Sequence, residues 1–155
     1  MTYRITGIDP APYRHLYGLP DDALASHGIL RMTVTEKPSF PCRVSLIDRD
    51  VCESMLLLNH VSHDVANPYR ASHAIFVTEG ATDAAEYVDE VPPVFAPRVL
   101  SLRGFDASGI MVDAILTQPG DSDLGIRTLF ENPAIDTIHA HNATRGCFAA
   151  KIERN

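Results

Sequence analysis

The chain has 155 residues, 45% apolar and 21% charged, with a formal net charge of −7 at pH 7. Those proportions fit one globular domain over residues 1–155 and exclude a disordered chain. The acidic balance and scattered cations speak against a nucleic-acid partner, and no apolar run approaches the roughly 20 residues that a membrane-spanning helix needs. In chain order, residues 3–8 read as a short strand and 9–18 as a loop containing Pro10 and Pro12. A short helix is expected over 21–27, with acids in its first turn and Gly28 just past its end. Residues 29–35 alternate like a strand, and Pro38 and Pro41 break the chain before Cys42-Arg43 enters the next one. Leu56, Leu57 and Leu58 in succession give 54–61 the look of a strand buried on both faces, with His60 near its end and His63 just beyond.

Residues 62–73 form a polar loop, 74–78 a strand, and 82–88 a candidate short helix. The clearest hairpin joins 98–106 to 110–117 through Ala107-Ser108-Gly109, with Gly109 in the left-handed position. That register sets Arg103 opposite Asp113, where a cross-strand ion pair accounts for both. A helix is expected over 122–131, ended by Asn132-Pro133. A second hairpin, 135–141 with 147–154, closes the chain. Most connections are too short for βαβ crossovers, so the predicted class is α+β: a largely antiparallel sheet, a few short helices and a closing C-terminal β-hairpin.

Chemistry concentrates in that last hairpin. If it turns symmetrically, His141 faces Cys147 and His139 faces Ala149. Alternation then sorts Ile138, Ala140, Phe148, Ala150 and Ile152 onto a core face, and His139, His141 and Cys147 onto the other. Two imidazoles and a thiol suit three chemistries. They are ligands for zinc, with a fourth position left for water. His141 could instead deprotonate Cys147 to make a nucleophile. Arg145 and the loop backbone, with Asn142 at the rim, could hold an anion. Against all three stands the reading that these residues only brace the hairpin or a homodimer contact, in a non-catalytic binding or assembly module.

Cys42, Arg43, Tyr69 and Arg70 are candidate contributors from elsewhere, while His15, His27 and His73 read as ordinary surface or loop residues. Asp113, His60 and Cys42 could join a metal if the fold brings them near. Eleven of the thirteen basic residues are Arg; the excess would suit an anionic ligand, but a coding bias is the better reading of it. No P-loop, dinucleotide fingerprint, nucleophile elbow or HExxH is present.

The segments PCRVSL (41–46), NPYRASHAIFV (67–77), LSLRGFD (100–106) and HAHNATRGCFAAKIER (139–154) together resemble the bacterial domain of unknown function 1203 family. The HxHNxxxGC pattern is matched by His139, His141, Asn142, Gly146 and Cys147. That resemblance implies a bacterial, single-domain protein and supports the closing hairpin, but it implies no reaction. The start of the chain has no apolar signal core and the three cysteines have no disulfide-framework spacing, so a cytoplasmic location is expected. The expectation is therefore a small-molecule site, its ligand an anion, around His139, His141 and Cys147.

Overall fold

Alternating apolar positions at both ends of the chain build the larger of two antiparallel sheets. The computed structural model describes residues 1–155. Six strands lie in the order β5-β1-β9-β8-β6-β7: β1 (Tyr3–Thr6), β5 (Glu86–Val88), β6 (Leu100–Phe105), β7 (Met111–Thr117), β8 (Thr137–Asn142) and β9 (Phe148–Arg154). One face of this sheet carries Tyr3, Ile5, Leu100, Leu102, Ile138, Ala140, Ala150 and Ile152, all fully buried. Helix α2 (Ser122–Phe130) covers part of it with Ile126, Leu129 and Phe130 and turns Leu124 and Thr128 to solvent, the spacing of an amphipathic helix. Each large aliphatic side chain sealed there contributes roughly 1.5–3 kcal/mol.

The second sheet is a three-stranded ribbon, β2 (Leu30–Thr33), β3 (Ser54–His63) and β4 (Ala71–Thr78). Its inner face runs Leu56, Leu58, His60 on β3 against Val77, Ile75, His73 on β4. That face is apolar at one end and imidazole-bearing at the other. Helix α1 (Asp21–Ser26) packs beside β2 and buries Leu24, and Gly28 after it has φ +71°, as the sequence expects of a helix end. No helix is long and apolar enough to cross a membrane.

Several expectations are corrected. Residues 86–88 form strand β5, not part of a helix, because pairing with β1 (Arg4 with Val88, Ile5 with Tyr87) overrides a weak local helical preference. Part of the loop expected at 9–18 is a 3-10 turn, Ala11–Leu16. Strand β4 begins three residues early, so His73 is a strand residue facing inward. Cys42 and Arg43 do not enter a strand. They sit in a tight turn closed by the Leu46 N–H to the Cys42 carbonyl, 2.9 Å, and are held by single bridges to neighbouring segments.

The closing hairpin exists, but its register differs. Asn142 pairs with Cys147 across a four-residue loop, and a β-bulge near Ala149 follows, so His141 faces Phe148 and His139 faces Lys151. The longer loop and the bulge displace the body of the hairpin by two residues, an even shift that keeps Ile138, Ala140, Ala150 and Ile152 on the core face. Phe148 and Ala149 exchange faces. Ala149 joins the main core, while Phe148 joins the ribbon's core on the other side.

The candidate site on the outer face of the six-stranded sheet

His139 and His141 alternate with the core residues Ile138 and Ala140, so both imidazoles project from the opposite face of β8. The open end of the ribbon lies against this face. The rings of His63 and His139 meet edge-on at 5.0 Å between centres, and those of His73 and His141 at 4.9 Å. Phe148 stands beside His139, His141 and His60, with ring centres 5.3, 5.7 and 5.9 Å away. Phe105 closes the other side, 4.2 Å from His63 and 4.9 Å from His139. Five of the seven histidines thus converge from strands β3, β4 and β8.

Their hydrogen bonds fix orientation. His63 donates its Nε2–H to the Gly109 carbonyl at 2.9 Å, and His141 donates Nδ1–H to the Gly146 carbonyl at 3.0 Å. A carbonyl can only accept, so in the neutral rings the lone pair sits on His63 Nδ1 and His141 Nε2. His73 Nδ1 bonds Ser62 Oγ at 2.8 Å, and His60 Nδ1 bonds the Tyr13 hydroxyl at 2.6 Å. The predicted β6–β7 turn matters here. Gly109 has φ +77°, and a Cβ on it would lie 2.6 Å from Val65 and 3.1 Å from the His63 ring.

Burial pushes His139 down to about 3, aided by the charges of His63, His141, Lys151 and Arg103. Burial likewise brings His141 down to about 4; the Gly146 hydrogen bond opposes this, while Arg103, His73 and Arg43 reinforce it. His60 and His73 are lowered too, by burial first, then His60 by the charge His73 would carry when protonated and His73 by Arg103. No carboxylate figures among these influences. At neutral pH His139 and His141 are therefore uncharged, with Arg103 beside them.

Arg103 is the residue that sequence reasoning discounted. A register irregularity beside Phe105 places Gly104, not Arg103, opposite Asp113, and Arg103 instead lies across from His139 on β8. It makes no ion pair, and its one side-chain hydrogen bond is Nε–H to Ser101 Oγ at 3.3 Å. His73 was equally discoverable: carrying the alternation of Val77 and Ile75 back two residues puts it on the inner face. His63 was not, because a bulge between Val61 and His63 sets its direction.

The other predicted residues divide. Tyr69 stands at the rim, its ring 6.4 Å from Phe105, whereas Arg70 is exposed and paired with Asp64. Arg145 is exposed and makes no hydrogen bond or ion pair. Cys42 is sealed in the ribbon's core, where its sulfur accepts the Thr78 N–H at 3.3 Å. Cys147 is not held by the imidazoles: its sulfur takes hydrogen bonds from Arg43 Nη2 at 3.3 Å and Asn142 Nδ2 at 3.2 Å. The grouping of His139, His141 and Cys147 expected for zinc is therefore not made, and no set of three or more His, Cys, Asp or Glu is arranged to hold a metal ion. His15 and His27 are surface residues, as expected.

Two surface clefts lie away from this face. One, about 240 Å³, is lined by Met1, Arg127, Phe130 and Glu131; the other, about 370 Å³, includes Arg49, Glu53, Glu79 and Asp83. Their chief charges are spent internally, Arg49 on Glu53, Glu79 on Arg31 and Arg127 on Asp123.

A family model described as a protein of unknown function (DUF1203) matches residues 39–154. That span includes every residue of the imidazole face except Tyr13. No curated protein and no solved structure matches the chain.

Proposed function

The chain belongs to the DUF1203 family of proteins of unknown function, and we propose that it binds a small anion on the imidazole face, with Arg103 as the anchor. The observation that carries this is an arginine turned onto His139 and His141, both uncharged at neutral pH, with no carboxylate partner. A free planar guanidinium suits bidentate contact with a carboxylate or phosphate. The lone pair on His141 Nε2 calls for a hydrogen-bond donor on the same ligand. Phe105, Phe148 and Tyr69 supply apolar walls. A hydroxy acid or a hydrogen phosphate meets all three requirements. A reducing, cytoplasmic setting would suit the three free cysteines.

The competing reading is that the histidines only brace the hairpin, and the His141–Gly146 bond favours it. That reading leaves Arg103 without a role. Calorimetric titration with malate and with inorganic phosphate separates the two. Wild type is expected to bind one of them, and Arg103→Gln to weaken that binding roughly 10- to 100-fold while the unfolding midpoint stays put, since a hydrogen bond to a charged group is worth ~1.5–3 kcal/mol. Absence of binding to either probe, or equal binding by the variant, would count against the anion site.

A further inference from the structure

Arg43 is only 2% exposed, yet it has no carboxylate partner. Its Nε–H reaches the Phe148 carbonyl, Nη1 the Pro41 carbonyl at 3.0 Å, and Nη2 the Cys147 sulfur at 3.3 Å. Two carbonyls satisfy N–H groups but bring no charge, and a buried unpaired cation is among the costliest features a fold can carry. The only ionisable group that Arg43 hydrogen-bonds is Cys147. Burial lowers the guanidinium's affinity for its proton, and Cys147 is the strongest influence opposing that.

A second donor converges on the same sulfur, the Asn142 amide at 3.2 Å. The other end of that amide, Oδ1, is buried with no hydrogen-bond partner. An acceptor left empty beside a sulfur that already receives two donors points to a donor that arrives later. We propose that Cys147 is a modification site, a sulfur held by Arg43 and Asn142 that a hydroperoxide oxidises to sulfenic acid.

The thiol gives its proton to solvent, and the sulfur attacks the terminal peroxide oxygen. A sulfur–oxygen bond forms as the oxygen–oxygen bond breaks, and the leaving alkoxide or hydroxide takes a proton from water. Sulfur is oxidised by two electrons and the peroxide is reduced to an alcohol or water. The new S–O–H group is the donor that Asn142 Oδ1 lacks, and a small thiol reverses the step through a mixed disulfide. Among the three cysteines the arrangement is confined to Cys147: Cys42 is sealed, and Cys52 is exposed with no donor on its sulfur.

The test uses the whole chain and needs no variant for its main comparison. Hydrogen peroxide is applied at pH 7 with dimedone to trap sulfenic acid, and labelling of each cysteine is followed by peptide mass spectrometry. Although less exposed, Cys147 is expected to label roughly ten times faster than Cys52, which serves as the ordinary thiol of the same molecule. In Asn142→Ala that advantage should fall several-fold. Cys147 labelling no faster than Cys52 overturns the proposal, and an advantage untouched by Asn142→Ala overturns the role given to the amide. Neither result bears on anion binding at Arg103, which is read by titration.

Discussion

Lowering the pH from 7.5 to 5 is expected to take about 4 kcal/mol from the stability of the fold, about 2 each from His139 and His141. The folded protein holds these rings at about 3 and about 4, against an ordinary value of 6.5. Between those limits the unfolded chain binds more protons than the folded one, so stability rises with pH. The contribution is complete above 6.5 and drains as pH falls toward the folded values, at about 1.4 kcal/mol per pH unit for each ring. His60 and His73 are shifted in the same direction and steepen the loss. The groups around His139 reinforce it from every side: His63 on β3, His141 on β8, Lys151 on β9 and Arg103 on β6.

A loss of that size is a large share of the 5–15 kcal/mol of a typical domain. The carboxylates act in a lower window. Glu79, held down to about 2 by its hydrogen bonds from Arg31, loses its contribution only below about 4.5. Urea unfolding at pH 7.5 and 5, in wild type and in the double variant His139→Gln/His141→Gln, measures the effect. The variant should be much flatter with pH, because glutamine does not titrate. Equal wild-type stability at the two pH values would contradict the buried, uncharged state of the rings.

Replacing Gly7 by alanine is expected to cost about 3 kcal/mol or more, lowering the thermal midpoint by roughly 10 °C. Gly7 follows β1 at a crossing of three segments. Its N–H bonds the Ala85 carbonyl, Ile8 N–H bonds the Arg43 carbonyl, and Ala85 N–H bonds the Val44 carbonyl, at 2.9, 2.9 and 2.8 Å. A Cβ at Gly7 would stand 2.0 Å from the Val44 carbonyl oxygen and 3.0 Å from that of Arg43. Those obstacles are backbone and cannot rotate away, so the 41–46 turn must move and carry Arg43 with it. Differential scanning calorimetry gives the midpoint, and peroxide labelling of Cys147 in the same variant should slow. A wild-type midpoint would mean that the turn can yield freely.

Local pattern was enough for much of this protein. The alternation in 135–141 and 147–154 named the closing hairpin and four of its core residues, Ile138, Ala140, Ala150 and Ile152, because burying one sheet face demands a period of two. The same pattern put His139 and His141 together on the other face, and Gly109 marked the β6–β7 turn through the one backbone conformation that favours glycine there. Recurrent apolar positions located α2 to within a residue.

What lay beyond local pattern was decided by contacts distant in sequence. A bulge is one extra residue with no periodic signature; it turned Phe148 toward the imidazoles and separated Cys147 from His141. Another register irregularity freed Arg103 from Asp113, and the regular pairing of β6 with β8 sets it across from His139. The ribbon's three histidines belong to the site only because that sheet packs its open end on the other, and Arg43 is a buried cation only because the turn at 41–46 is pinned beneath β1. Sequence periodicity specifies which face a side chain takes along its own strand. Which strands then face one another is set by the packing of two sheets, and that is where the candidate site was made.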